Sequence, residues 1–123
     1  MAGGSSLLEQ RVRGSIPASF GEFETNQADL KGTPDIVFRD SRVVVFVHGC
    51  YWHRHEGCAR AIHPKSDPQR WMRVFNTTVR RDQEALVELR DQGWKCLVFW
   101  ECQILDQLDD LVGELGRTLG VTN

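Results

Sequence analysis

Cysteine and histidine residues are concentrated in one short stretch near the middle of the chain. Cys50, His55 and Cys58 lie within nine residues, and Cys102 follows much later in the sequence. Thiolates combined with an imidazole form closed tetrahedral zinc sites, which stabilise the loops that hold them. The N-terminus has no apolar secretory signal, so we expect a cytoplasmic protein with reduced thiols, which favours metal over disulfides. These four residues are candidate ligands of a structural Zn²⁺, whereas Cys96 falls inside a predicted strand and is assigned to the core.

A second group of residues has the chemistry of hydrolysis. Asp35 follows Pro34 at the start of a strand, and His48 ends the next strand, so a hairpin would place both at one sheet edge. A carboxylate there could bind Mg²⁺, and a nearby imidazole such as His48 or His53 could move a proton at neutral pH. The group predicts metal-assisted phosphodiester hydrolysis. The alternative is a turn-capping aspartate beside histidines that have no special role.

Three aromatic residues accompany these groups. Tyr51 and Trp52 lie between Cys50 and His53, and Trp71 follows among basic residues. Exposed aromatic rings beside arginine can insert between base steps or stack on bases. Trp71 could equally be a core residue on the buried face of a helix.

Charge is distributed unevenly along the chain, although the net charge is only −2. Residues 54–81 carry seven basic and two acidic side chains, and Arg54 and Arg73 are among the basic ones. Residues 82–123 carry nine acidic and three basic side chains. A basic segment directly after the Cys/His stretch suits a face that contacts a polyanion such as double-stranded DNA. An ordinary solvated helix face would explain the charge equally well.

The pattern of apolar residues predicts the elements that position these groups. Val43–His48 is an apolar run typical of a strand covered on both faces, and the Lys31–Pro34 segment is a turn. The chain is long enough for one domain over residues 1–123, with residues 1–6 expected to be flexible, and it has no membrane span. The order is that of an α/β fold with a mixed central sheet flanked by helices. The predicted elements are a helix over 7–14, a short strand near 20–24, a hairpin of strands 35–38 and 43–48, a helix from 68 to about 92, a strand over 94–100 and a helix over 105–119.

Three segments resemble the signature blocks of the very short patch repair (Vsr-type) endonucleases. They are Lys31-Gly32-Thr33-Pro34-Asp35, Val47-His48-Gly49-Cys50-Tyr51-Trp52-His53 and Gly93-Trp94-Lys95-Cys96-Leu97-Val98-Phe99-Trp100-Glu101-Cys102, in the order the family has them. The resemblance covers about residues 30–103. It implies a restriction-endonuclease-like fold with a structural zinc, and a Mg²⁺-dependent nick 5′ to the thymine of a T:G mismatch.

The resemblance also implies roles for most of the candidate residues. Asp35 is similar to the Mg²⁺-binding aspartate, and Val47 occupies the position whose backbone carbonyl helps to hold Mg²⁺, where the family commonly has threonine. His48 and His53 resemble the two catalytic histidines, with His53 as general base, and Glu9 resembles a helical glutamate near the active site. The remaining assignments by resemblance are Tyr51, Trp52 and Trp71 as intercalating aromatics, and Cys50, His55, Cys58 and Cys102 as zinc ligands, with one residue inserted before Cys58. Arg54 and Arg73 are further candidate DNA contacts because they belong to the basic segment.

The N-terminal segment departs from the family pattern. The family usually begins with a longer basic arm carrying an Arg-Ser-x-Asn-Met-like motif, which this sequence does not contain. The expectation is therefore a monomeric DNA-nicking endonuclease with two alternatives. One is a Vsr-like nickase of a phage-defence or restriction system without mismatch preference, which a protein partner supplying recognition would complete. The other is a non-catalytic zinc module that binds DNA or a protein.

Overall fold

The computed structural model describes residues 5–121, with side chains from residue 7 onward. The flexibility expected for residues 1–6 therefore falls mainly on residues outside the described part. No helix in the described part is long and apolar enough to cross a membrane. The elements in chain order are α1 (Ser5–Ser15), a 3₁₀ helix (Ala18–Phe20), β1 (Glu24–Thr25), β2 (Ile36–Phe38), β3 (Val43–His48), α2 (Pro68–Asp91), β4 (Lys95–Trp100), α3 (Glu101–Asp106) and α4 (Leu108–Leu119).

The four strands form one mixed sheet in the order β1-β2-β3-β4. Strands β2 and β3 pair antiparallel, which confirms the predicted hairpin. Strand β4 pairs parallel to β3 over six residue pairs, from Val43 opposite Lys95 to His48 opposite Trp100. Parallel neighbours end at the same sheet edge, so the loop after β3 and the start of α3 are brought together there.

Helices cover both faces of the sheet, as the sequence predicted for the mixed sheet. Helices α1, α3 and α4 pack on one face through Val12, Ile104 and Leu115, and α2 packs on the other through Ala85 and Leu89. Every residue of β3 is buried. Its uninterrupted apolar run is therefore explained by burial on both faces, since alternate residues point to opposite sides of the sheet.

The turn before β2 is fixed by a glycine that packs against α2. Gly32 has a φ of +78°, and a Cβ at this position would lie 2.7 Å from the Cβ of Ala85. The backbone N–H of Asp35 then donates to the carbonyl of Val45 at 3.1 Å. The turn thus delivers Asp35 to the sheet edge beside the end of β3.

Two segments differ from the sequence-based expectation. The strand expected near residues 20–24 is reduced to β1, because Phe20 belongs to the 3₁₀ helix and its ring contacts the backbone of α4 at Gly116. The helix expected over residues 105–119 is divided at Gln107 into α3 and α4. The bend lets Ile104 and Leu115 enter the same core cluster.

Candidate active site and metal cluster

The four candidate zinc ligands converge at the edge where β3 and β4 end. The donor atoms of Cys50, His55, Cys58 and Cys102 all lie within 4.8 Å of one another. The Nδ1 atom of His55 is 3.6 Å from the Sγ of Cys50 and 3.5 Å from the Sγ of Cys102. Zinc–ligand bonds of about 2.0–2.3 Å in a tetrahedron require donors separated by roughly 3.5 Å. The residues therefore fit a closed three-cysteine, one-histidine Zn²⁺ site.

Backbone groups hold this cluster together across the sheet edge. The N–H of Cys50 donates to Oε1 of Glu101 at 3.1 Å, and the N–H of Cys102 donates to the Sγ of Cys50 at 3.4 Å. The N–H of His55 donates to the carbonyl of Cys50 at 3.0 Å. Burial raises the pKa of the Cys50 thiol to about 12, so a bound cation would have to displace its proton. We call Cys50, His55, Cys58 and Cys102 the metal cluster.

A separate pocket of about 530 Å³ opens beside the metal cluster, between the sheet edge and α2. It is lined by all four candidate catalytic residues and by one side of α2. The lining residues include Glu9, Asp35, Val47, His48, Trp52, His53, Val74, Thr78, Arg81 and Asp82. We call this the active-site pocket.

Asp35 and Glu9 place two carboxyl groups in the active-site pocket. Burial, assisted by the neighbouring Glu9, raises the pKa of Asp35 to about 7, although the N–H of Val47 opposes the shift by donating to Oδ2 at 2.6 Å. Glu9 is buried and paired with Arg13 at 3.3 Å. Two carboxylates with little water repel each other, and a divalent cation removes that cost. The donor set fits Mg²⁺ held by Asp35 and the Val47 carbonyl, with Glu9 nearby.

The two histidines form a stacked pair on the other side of the pocket. Their ring centroids are 3.9 Å apart and their planes differ by 3°. Burial, and then the neighbouring His53, lowers the pKa of His48 to about 4, so His48 is neutral at neutral pH. Imidazole lone pairs lie in the ring plane, and parallel planes cannot both contain one ion. The pair therefore suits proton transfer better than metal chelation.

Asp82 orients His53. Its Oδ2 lies 2.7 Å from Nδ1 of His53, which places the proton on Nδ1 and leaves Nε2 free to accept one. Sequence reasoning missed this residue. A signal was present, because Asp82 lies seven residues after Phe75 and seven before Leu89, on the apolar stripe of α2. A carboxylate on a buried face needs a partner there.

Of the three candidate aromatic residues, only Trp52 lines the active-site pocket. Trp52 is 42% exposed, and its ring centroid is 6.2 Å from that of the half-buried Trp71. Tyr51 is half-buried and meets the ring of Phe75 edge-on at 5.5 Å. Trp52 is therefore the most exposed member of this group, and its ring contacts those of both Tyr51 and Trp71.

The two candidate DNA-contacting arginines have different surroundings. Arg54 donates to the carbonyls of Tyr51, Ala61 and Ile62 at 3.0–3.1 Å, and its guanidinium lies over the ring of Phe75. Its donors are thus used to hold the loop together. Arg73 is exposed on α2. Of the two, only Arg73 presents its side chain outward.

Comparisons with known proteins identify a family and several relatives of this chain. A family model described as DNA mismatch endonuclease Vsr matches residues 5–60. The chain is 40% identical over 98 residues to "Type II nicking enzyme V.XorIIP" of Xanthomonas oryzae pv. oryzae, an alignment that covers 80% of this chain and 71% of the relative. It is 31% identical over 99 residues to "DNA mismatch endonuclease Vsr" of Escherichia coli, covering 80% and 63%. It is also 35% identical over 82 residues to "Type II nicking enzyme V.NmeAIP" of Neisseria meningitidis, covering 67% and 58%. The aligned chain thus spans less than two thirds of the second and third relatives.

Proposed function

Since the chain belongs to the Vsr family of DNA mismatch endonucleases, we propose that it is a Mg²⁺-dependent endonuclease that nicks one strand of double-stranded DNA. The proposed target, which the resemblance to this family implies, is the bond 5′ to the thymine of a T:G mismatch. The observation that carries the proposal is one pocket holding Asp35 beside Val47 and an imidazole, His53, oriented by Asp82. Phosphodiester hydrolysis needs a site for cationic charge and a base for water, and this pocket offers both.

His53 is the proposed general base. Its Nε2 accepts a proton from the attacking water as the new P–O bond forms and the bond to the leaving oxygen breaks. The positive charge that His53 then carries is paired with the Asp82 carboxylate at 2.7 Å. Because His48 is neutral, it does not repel the protonated His53, and its ring holds His53 by stacking.

Asp35 is the proposed Mg²⁺ ligand, together with the Val47 carbonyl, and Glu9 assists from α1. Bound Mg²⁺ would supply Lewis acidity toward the phosphate. The N–H of Val47 fixes the Asp35 carboxylate in place, so its second oxygen remains available. Valine at position 47 is compatible with this role because only its backbone is required.

Zn²⁺ in the metal cluster is proposed to be structural. All four donor residues come from the protein and surround one point, which leaves no open coordination position for water or phosphate. Its role is to hold the loop that carries Tyr51, Trp52 and His53. The proposed DNA contacts are Trp52, Trp71 and Tyr51, and the basic face of α2 that includes Arg73.

The second candidate function is nicking without mismatch preference. Two of the relatives described above are named as type II nicking enzymes, which favours an association with restriction systems. In this case a protein partner would supply recognition, and the chemistry of the pocket would be unchanged. We retain the prediction of a monomer for the isolated chain.

A strand-specific nicking assay tests the proposal. Two end-labelled duplexes, identical except for a T:G mismatch in place of a C:G pair, are incubated with Mg²⁺ and wild-type or Asp35→Ala protein. A nick 5′ to the mismatched thymine that Asp35→Ala does not produce is the expected result. Equal nicking of both duplexes supports the second candidate. No cleavage of either duplex by zinc-loaded, DNA-binding protein overturns the assignment of catalytic function.

A further inference from the structure

Trp100 lies between the metal cluster and the catalytic histidines. Its indole stacks on the imidazole of His55, with centroids 4.2 Å apart and planes within 11°. It also meets His48 edge-on, at 5.1 Å and 75°. His48 in turn stacks on His53. Four rings therefore form one continuous path of contacts, from a metal-cluster ligand to the proposed general base.

The backbone around Trp100 is tied to the metal cluster as well. The N–H of Trp100 donates to Oε1 of Gln103 at 3.1 Å, at the start of α3. The next two residues, Glu101 and Cys102, each bond to Cys50, one through a carboxylate and the other through its N–H. Trp100 therefore cannot shift far unless the cluster shifts with it.

We infer that Trp100 is a positioning residue that couples the geometry of the metal cluster to the catalytic imidazole pair. The inference rests on the proposed function for the roles of His48 and His53. With the cluster assembled, His55 holds one face of the indole, and the indole supports His48, on which His53 stacks. A displacement of about 1 Å in a catalytic group can lower the rate roughly 100-fold. Disrupting the contacts between these four rings therefore lowers catalysis although no reacting group is removed.

Substitution of Trp100 separates this role from general stability. In zinc-loaded Trp100→Leu, kcat on the T:G duplex is expected to fall roughly 30- to 100-fold, with KM changed less than about threefold. Trp100→Phe keeps an aromatic face and restores most of kcat. The matched control is Trp94→Leu, a buried tryptophan next to the opposite end of β4, about 20 Å away by strand rise. Trp94→Leu lowers the melting temperature but leaves kcat unchanged.

A double-mutant cycle tests whether the coupling runs through His55. His55→Cys gives a four-cysteine set, which binds Zn²⁺ in the same tetrahedral manner but has no ring against Trp100. If the coupling needs both rings, either substitution alone already breaks it. The double variant His55→Cys/Trp100→Leu should then lower kcat by much less than the product of the fold-losses of the two single variants. Multiplicative effects would mean that the two residues act independently, and would overturn the inference.

A spectroscopic readout tests the coupling without DNA. Exchange of Zn²⁺ for the larger Cd²⁺ changes the cluster while keeping the protein folded. It is expected to shift the NMR ring resonances of His48 and His53 in the wild type and to leave them nearly unchanged in Trp100→Leu, with one metal bound per chain in both. Equal shifts in both proteins, or a kcat loss in Trp94→Leu matching that of Trp100→Leu, would contradict the role. If the wild type nicks no duplex, the proposed function fails while the NMR comparison still decides the coupling.

Discussion

The metal cluster and the active-site pocket share one loop but differ in how their polar groups are arranged. In the metal cluster, four donor atoms converge within 4.8 Å, all from protein side chains. In the pocket, a carboxyl pair and two parallel imidazoles surround an open space of about 530 Å³. A closed set suits an ion that stabilises the fold, whereas an open set suits ions, water and a phosphate that must come and go. Histidine, the one residue type common to both sets, thus suits a different purpose in each according to geometry.

The strongest test of this comparison is removal of the proposed base. His53→Ala is expected to lower single-turnover nicking about 10³- to 10⁴-fold while leaving stability and zinc content unchanged. The matched control is His63→Ala, an exposed histidine outside the pocket. Comparable losses in the two variants would show that His53 has no special part in the chemistry.

Removal of a ligand from the metal cluster should lower zinc content and stability, the two properties that His53→Ala leaves unchanged. Cys58→Ser is expected to lose bound zinc and to reduce the free energy of unfolding on the order of 4 kcal/mol, because loss of a structural metal is among the most destabilising changes. Cys96→Ser, which changes a cysteine outside the cluster, should retain zinc. Zinc stoichiometry and urea denaturation measure both, and unchanged stability in Cys58→Ser would refute a structural role.

The hydrogen bond between Asp82 and His53 predicts a smaller loss of activity. Asp82→Asn removes the charge that favours the reactive tautomer and the protonated ring, so nicking should fall about 100-fold with DNA affinity retained. Asp91→Asn, a change at an exposed position of the same helix, serves as the control. Single-turnover rates on saturating duplex would measure the effect. A loss below threefold would exclude Asp82 from the catalytic group.

The raised pKa of Asp35 predicts a pH-dependent change in stability without Mg²⁺. The pKa is about 7 in the folded protein against an ordinary value of 3.8, so folding favours the protonated form. That contribution is fully present below about pH 4 and is lost as the pH rises toward 7. Asp35→Asn should therefore gain stability relative to wild type between pH 5.5 and 7.5, by at most about 1.4 kcal/mol for each pH unit up to the folded pKa. Urea denaturation of the zinc-loaded proteins at the two pH values measures this gain. If the free energies of unfolding of Asp35→Asn and wild type differ by the same amount at both pH values, the prediction is contradicted.

The sequence predicted well those parts of the site that depend on local pattern. Three local patterns could be interpreted directly: the apolar run of β3, the glycine-proline turn before Asp35 and the grouped cysteines. Parallel pairing of β3 and β4 then brings Cys102 to the loop. The position of Asp82 on the apolar stripe of α2 indicates that it needs a polar partner, but that this partner is His53 depends on how α2 lies across the sheet. The same holds for Trp100, whose role comes from contacts with residues far away in the chain.

The segments that differed from expectation have a similar cause. Phe20 joins the 3₁₀ helix because its ring packs against Gly116, a residue almost one hundred positions later. Arg54, a candidate DNA contact from its place in a basic segment, also donates to three carbonyls of its own loop. The case of Phe20 shows that tertiary contacts can determine local structure more strongly than local propensity.

We infer that the open pocket performs the chemistry while the closed cluster maintains the structure. The most direct measurement is single-turnover nicking of the T:G duplex by zinc-loaded Asp35→Asn in Mg²⁺, with DNA affinity and zinc content measured on the same sample. We expect one zinc per chain, a dissociation constant for DNA within about threefold of wild type and a nicking rate reduced about 10³-fold or more. Nicking within tenfold of wild type, with zinc and DNA binding intact, would contradict this inference.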